Sequence, residues 1–215
     1  MNRHSVTVVT PPAAEPVTLA EAKAWLRIDG TAEDTIITSL ISEAREIAET
    51  YTRRAFITRT LKLTLDAWPR RAGQEPWWDG VREMALSELS QATIATAVPL
   101  PFAPLNEITS VKTFDSDDTE SVMSPADYQE DTAGSRLCLK RNASWPSNLR
   151  PHAGIEIEYI AGYGEAGSNV PFTLRRAILI IAAALYHNRE CGDMPDDAVR
   201  ILRPYIAITD GRLGV

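Results

Sequence analysis

The chain has 215 residues, of which 44% are apolar and 24% charged, as expected for one or two globular domains and not for a disordered chain. Acidic residues outnumber basic ones by 29 to 22, and the net charge of −7 argues against a protein that coats nucleic acid. Two cysteines, Cys138 and Cys191, exclude a disulfide framework and a four-thiolate zinc site. Neither a signal peptide nor a membrane span is apparent, and we expect a soluble protein folded in a cytoplasm.

Two helices are predicted near the N-terminus. Thr18 and Glu21 stand three residues apart and form a capping box, after which apolar residues recur at helical spacing. We expect this first helix to end at residues 29–30. A second amphipathic helix is expected over about residues 32–53, with its glutamates on the solvated face. A short helix joined closely to a longer one predicts a helical hairpin.

From residue 57 onward, apolar and polar residues alternate, which predicts β-strands. The predicted strands cover residues 57–65, 108–114, 120–123, 128–130, 136–139 and 155–160. An aspartate-rich turn is expected at residues 115–118. The tryptophan-rich stretch 68–80 predicts a packed loop, and residues 85–97 are compatible with a strand or a short helix. The middle of the chain is therefore predicted to be a small antiparallel β unit with polar outer faces.

Helical spacing returns after Pro171, which we expect in the first turn of a helix that is apolar and buried on most sides. Pro195 is predicted to open a last helix reaching about residue 204, followed by a tail over residues 205–215. The predicted class is α+β. A small helical bundle, formed by the hairpin (16–55) and the C-terminal helices (171–204), carries an inserted antiparallel β subdomain (56–165).

The search for chemistry finds no pattern that supports catalysis. The sequence contains no phosphate-binding glycine motif and no recognisable nucleophile elbow. His4 is expected in a frayed terminus. On a continuing helix, His187 and Cys191, with Glu190 nearby, would share a face as metal ligands can, but further ligands are not apparent. We favour a helix end with His187 near the negative pole of the helix dipole, and we expect no catalytic residue, cofactor or metal.

The aspartate-rich segment 115–120 is better explained as a turn than as a calcium loop. It lacks the glycine and the glutamate that such a loop requires at its sixth and twelfth positions. The C-terminal segment is locally basic, since it contains Arg200, Arg203 and Arg212 against the acidic Asp210. Such a basic patch is either a solvated surface or a contact with an acidic partner or a neighbouring copy.

Several short motifs occur in order along residues 16–190. They are P-V-T-L-A-E-A-K-A-W-L-R (16–27), E-D-x-x-I-x-x-L-I-x-x-A-R (33–45), L-P-x-x-P-L (100–105), I-x-S-V (108–111), D-Y (127–128), W-P (145–146), A-G-Y-G (161–164) and V-P-x-x-L-R-x-A-I (170–178). Each motif alone is generic. In their order and spacing they resemble the phage head–tail connector family, the adaptor or head-completion proteins of long-tailed DNA phages, prophages and gene transfer agents. Residues 73–97 match this pattern least.

The resemblance implies a helical bundle with a β insertion and no enzymatic activity. Such adaptors assemble as a ring, commonly a dodecamer, beneath the portal, where the ring extends the DNA channel and receives the tail. The implied partners are the portal protein, a tail terminator or tail-side connector, neighbouring copies and, transiently, the packaged DNA; no membrane is involved. The implied location is the head–tail junction of the virion, after assembly in the bacterial cytoplasm. An acidic chain suits a channel wall along which DNA slides without being held.

A ring requires that one face of each subunit meet a different face of the next. We expect the helices to build the core, leaving the β insertion and the C-terminal segment for contacts with neighbours or the portal. The predicted partner-binding residues are basic or apolar members of that segment: Arg200, Arg203, Tyr205, Ile206, Ile208, Arg212, Leu213 and Val215. Two alternatives remain open: a small DNA-binding or DNA-packaging accessory protein, against which the acidic balance counts, and a metal-dependent enzyme.

Overall fold

The computed structural model describes residues 4–69, 96–188 and 194–207. In these ranges the helices are α1 (Leu19–Leu26), α2 (Asp34–Thr52), α3 (Phe172–His187) and α4 (Asp196–Leu202). The strands are β1 (His4–Thr10), β2 (Arg59–Leu65), β3 (Ala97–Pro99), β4 (Leu105–Phe114), β5 (Glu120–Val122), β6 (Tyr128–Asp131), β7 (Arg136–Leu139) and β8 (Ile155–Ala161). The strands are antiparallel, and the predicted α+β class is confirmed.

The ends of the helices show which local predictions were correct. The capping box at α1 is confirmed: Thr18 Oγ1 accepts from the Glu21 amide at 3.2 Å, and Glu21 Oε2 accepts from the Thr18 amide at 2.8 Å. Arg27 adopts a left-handed conformation, so α1 ends before residues 29–30, earlier than predicted. Pro171 stands just before α3 in an extended conformation and not inside the first turn, which corrects the prediction for that proline.

The four helices share one apolar core, although they come from opposite ends of the chain. Its buried members are Val17, Ala22, Ile37, Ile41, Ala44, Ala48, Phe56, Ile57, Val170, Leu174, Ala177, Ile178, Ile181, Ala182, Ala198 and Leu202. α3 is not buried on all sides, because Leu179 and Ile180 are half-buried and Phe172 is 74% exposed. The apolar character of α3 therefore exceeds what packing within one copy uses.

The strands form two antiparallel sheets that enclose a second apolar core. The larger sheet has the order β1-β2-β8-β4-β5, and the smaller one has the order β3-β7-β6. Inward side chains of β2 and β8, such as Leu63 opposite Ile157, are completely buried. The rings of Trp68 and Trp145 stack in this core with centroids 4.1 Å apart. The outer face of the large sheet is polar, as predicted, and carries an ion pair between Lys62 and Glu156.

The prediction of a frayed N-terminus around His4 was wrong. Residues 4–10 form β1, which pairs with β2 in a register that places His4 opposite Leu65. The alternation of serine, threonine and valine in this stretch is a strand signal. The other predicted strands occur within a few residues of their expected bounds. Most of the predicted tryptophan-rich loop and of the ambiguous segment 85–97 lies outside the described residues.

The helical core and the β core meet at Glu49, close to the C-terminal end of α2. This side chain is almost completely buried, and its carboxylate accepts three hydrogen bonds. The donors are Arg45 Nη1 of α2 at 2.9 Å, Arg59 Nη1 of β2 at 3.0 Å and the Phe56 amide at 2.7 Å. Arg45 Nε also donates to Glu15 at 2.8 Å. The group therefore joins the segment before α1, the helix α2 and the first strand of the insertion.

The two connections between the cores run side by side. The Thr58 amide donates to the Gly164 carbonyl at 3.0 Å, and the Tyr163 amide donates to the Phe56 carbonyl at 3.1 Å. Gly162 lies between these bonds with φ of 143°, and a Cβ at this position would lie 2.5 Å from the Thr58 backbone. A residue with a side chain cannot occupy this position without moving the chain, because the two backbones are in direct contact.

The junction between the two cores is the group formed by Glu49, Arg45, Arg59 and the Phe56 amide. Replacing the charge of Glu49 tests whether this junction holds the cores together. The substitution Glu49→Gln removes the carboxylate that pairs with the buried Arg59 and leaves Arg45 with Glu15, and we expect the free energy of unfolding to fall by about 3–5 kcal/mol. The exposed Glu43 of the same helix supplies the matched control, because Glu43→Gln should change it by less than about 0.5 kcal/mol. Urea unfolding followed by circular dichroism measures both. Equal losses in the two variants would show that the junction does not depend on the charge.

Candidate functional site

The described part of the predicted partner-binding segment is fixed across the end of α2. Leu202 of α4 is completely buried in the helical core, and Tyr205 packs against the same core from the following 3-10 turn (Arg203–Tyr205). Arg54 Nε donates to the Tyr205 carbonyl oxygen at 2.5 Å, and the Ala207 amide donates to the Thr52 carbonyl at 2.9 Å. The chain therefore leaves the described region from a defined point beside the junction.

The predicted partner-binding residues divide into three groups. Arg200 and Arg203 are exposed, Arg200 being paired with Asp197, and Ile206 is 36% exposed. Tyr205 is half-buried in its own subunit, so packing within the chain accounts for part of the apolar character that suggested a partner. The remaining four lie outside the described residues: Ile208, Arg212, Leu213 and Val215.

An open, mainly apolar groove lies beside this segment on α2. It is lined by Glu46, Ile47, Thr50, Tyr51 and Met194. Ile47 and Tyr51 continue the apolar stripe of α2, so their spacing alone does not distinguish them from core residues. In the structure both are only half-buried. A stripe wider than the core it serves is the signal that could have indicated this groove.

The charges on α2 separate into a buried and an exposed set. Burial acts to lower the pKa of Arg45, but the hydrogen bond that it donates to Glu15 and the charges of Glu15 and Glu49 raise the pKa above its ordinary value. The glutamates Glu43 and Glu46 are exposed, and Glu46 places one carboxylate at the groove. Burial also raises the pKa of Tyr163, which lies beside Arg54 and Tyr205.

The described residues contain no arrangement typical of a catalytic or metal centre. No group of three histidine, cysteine, aspartate or glutamate side chains in those ranges could hold a metal ion. His187 is exposed at the end of α3 and makes an edge contact with the ring of Tyr186, whereas Glu190 and Cys191 lie outside the described residues. The predicted aspartate turn is confirmed, since Asp115 Oδ1 accepts from the Asp117 and Thr119 amides, each at 2.9 Å.

A search of the described helices finds none with the length and apolarity needed to cross a membrane. The described surface also offers candidates for protein contact. These are the exposed part of α4, the groove on α2, and the exposed apolar side chains at Trp25, Ile36 and Phe172.

A family model for phage gp6-like head-tail connector proteins matches residues 16–98. The predicted resemblance to head–tail connectors is confirmed. The match covers the helical hairpin and the start of the β insertion, including the capping box of α1 and the junction at Glu49. A comparison with curated proteins gave no match.

Solved structures resemble this chain over nearly its whole length. One chain from the neck of an empty GTA particle, computed with C6 symmetry, has a TM-score of 0.73 and 23% identity, covering 97% of this chain and 99% of that one. A chain from the virion of a native gene transfer agent particle has a TM-score of 0.69 and 20% sequence identity, and the match covers 95% of this chain and 96% of that one. A chain from the neck of a native GTA particle, computed with C12 symmetry, has a TM-score of 0.68 and 23% sequence identity, and the match covers 97% of this chain and 99% of that one. These likenesses establish the fold.

The comparisons also bear on the expectation that the chain is not an enzyme. The family model that matches residues 16–98 describes head-tail connector proteins, and the similar solved chains come from particle necks and a virion, so none of these matches is described as an enzyme.

The anchoring of the C-terminal segment can be tested at Arg54. The substitution Arg54→Met removes the hydrogen bond to the Tyr205 carbonyl, and we expect cleavage after Tyr205 in limited chymotrypsin digestion to become faster by about tenfold. Arg176→Met, at an exposed site on α3, is the matched control and should leave the cleavage rate unchanged. Equal rates in both variants would show that Arg54 does not hold the segment.

Proposed function

We propose that this protein is a ring-forming subunit of the head–tail connector in a phage-like particle such as a gene transfer agent. In this role it lies beneath the portal, extends the DNA channel and offers the attachment site for the tail. The observation that carries the proposal is the likeness to neck chains over 97% of the chain, supported by the connector family match at residues 16–98. No comparison favours the alternative of a DNA-binding or packaging accessory protein.

The subunit has two apolar cores, one among the helices and one among the strands, and Glu49 links α2 to β2 between them. We treat residues 16–55 with 171–204 as one helical unit, 56–165 as the inserted β subdomain and 205–215 as a tail. Necks of GTA particles have been computed with C6 and C12 symmetry, which supports a dodecamer as the assembled form.

The partners follow from this place in the particle. The portal protein lies above the ring, a tail terminator or tail-side connector below it, and further copies of the chain at each side. DNA passes through transiently, and a net charge of −7 suits a wall that does not retain it. The chain would assemble in the bacterial cytoplasm and finally reside at the head–tail junction of the virion.

We assign the C-terminal tail to the portal or an adjacent subunit. The chain is fixed at Ala207, and the eight residues beyond it have an extended reach of about 26 Å, enough to leave the subunit. Arg200, Arg203 and Ile206 are exposed next to that point. A basic and apolar segment on an otherwise acidic chain is able to recognise a surface of opposite charge.

Electron microscopy of the protein mixed with its portal tests the proposed function. We expect capped portal rings in which the added density follows the portal symmetry. A monomeric subunit in the absence of portal agrees with this expectation, because ring closure needs a template when each contact is weak. Portal rings that remain uncapped in the presence of folded protein would contradict the proposal, and a salt-sensitive shift of duplex DNA would instead favour the DNA-binding alternative.

Deleting residues 208–215 tests the role assigned to the tail. The deletion leaves Tyr205 and Ala207 in place, so we expect the unfolding midpoint to stay within about 2 °C while attachment to portal rings falls by about tenfold or more. The charge-reversed full-length variant with Arg200→Glu and Arg203→Glu should weaken attachment in the same direction. Attachment equal to that of the intact chain in a sedimentation assay would show that the tail is not a contact.

A further inference from the structure

The first strand, β1, forms one edge of the five-stranded sheet. Among the described strands its partner is β2, in a regular register from His4 opposite Leu65 to Val8 opposite Leu61. About half of its backbone N–H and C=O groups point away from β2, as they do in any edge strand. Five of its seven residues are exposed, so no described part of the chain covers this edge.

This edge lacks most of the features that keep edge strands from pairing. Residues 5–10 carry no charge, no proline and no glycine, and three of the six are valines. A register shift between Val8 and Thr10 disturbs the end of the strand but leaves five consecutive residues regular. Natural sheets normally protect such an edge with lysine, proline or a short strand. Such an edge is available for pairing with another strand.

The side chains of β1 extend the apolar core beyond the point where the subunit covers it. Val8 continues a row across the sheet with Leu61 and Tyr159, which are 1% and 0% exposed, yet Val8 itself is 52% exposed. An additional strand beside β1, with its own inward side chain, would cover this row. Backbone hydrogen bonds and an apolar contact are thus both available at the same site.

The opposite edge of the same sheet is also exposed. β5 lies there, all three of its residues are exposed, and Val122 is 62% exposed. A ring needs two different and complementary faces on each subunit, and the two edges of one sheet point in opposite directions. We propose that β1 of one copy pairs with the β5 edge of the next copy, so that the sheet continues from subunit to subunit. This inference rests on the proposed ring.

Hydrogen exchange measured on the free subunit and on the portal-capped ring tests the pairing directly. The outward amides of residues 4–10 should exchange rapidly in the free subunit and slow by about tenfold or more in the ring. Amides of β2, which are already paired on both sides, should change little. Rings that form while β1 exchanges as before would overturn the pairing and leave the proposed function standing. Failure to form any ring would overturn both.

A lysine on the edge supplies the matched variant. Val8→Lys should lower ring assembly by about tenfold or more, whereas Ser39→Lys, at an exposed polar site on α2 outside the candidate contact surfaces, should assemble normally. Both variants must show the wild-type unfolding midpoint, and Val9→Lys replaces Val8→Lys if that variant does not fold. Normal assembly of the folded β1 variant would overturn the inference. Protection of the β1 amides from hydrogen exchange on portals that carry a single subunit would also overturn the inference, since β1 would then pair with the portal and not with a second copy.

Discussion

The carboxylate of Glu49 is the contact on which the arrangement of the two cores depends. It is buried at the boundary between them and binds a guanidinium from α2, a guanidinium from β2 and a backbone amide of the connecting segment. Each of these groups would be costly to bury alone, and the cost is offset only when all are together. The relative position of helices and sheet is therefore restricted to the one in which these groups meet.

Other parts of the chain converge on the same region. The two connections between the cores are bonded to each other next to Gly162, the Ala55 amide donates to the Ala103 carbonyl at 3.1 Å, and the C-terminal segment is held by Arg54. Because the tail starts from this junction, a contact that the tail makes with a partner acts on the place where both cores are joined. A ring subunit gains from this arrangement, since its lateral and axial contacts keep a fixed relation to each other.

Local signals predicted the elements well where a single stretch of chain carries its own reason to fold. The capping box at Thr18 and Glu21, the apolar spacing of α2 and the alternation in β8 each depend on residues within one element. The predictions failed at β1, where a short strand signal near the terminus was overlooked, and at the end of α1, where Arg27 adopts a left-handed conformation. For the candidate contact surface, Arg200 and Arg203 are exposed and Tyr205 is half-buried, and the partner-binding role of all three stays a prediction.

The sequence by itself determined the class of the protein, the order of its helices and strands, the acidic balance and the resemblance to head–tail connectors. These properties are written in composition, in periodicity and in the spacing of short motifs. Only the tertiary structure decided that Glu49 joins two cores, that Ile47 and Tyr51 line an open groove, and that both edges of the large sheet are uncovered. The physical reason is that burial and pairing depend on partners far apart in the chain, such as Arg54 with Tyr205, and their approach is a property of the whole fold.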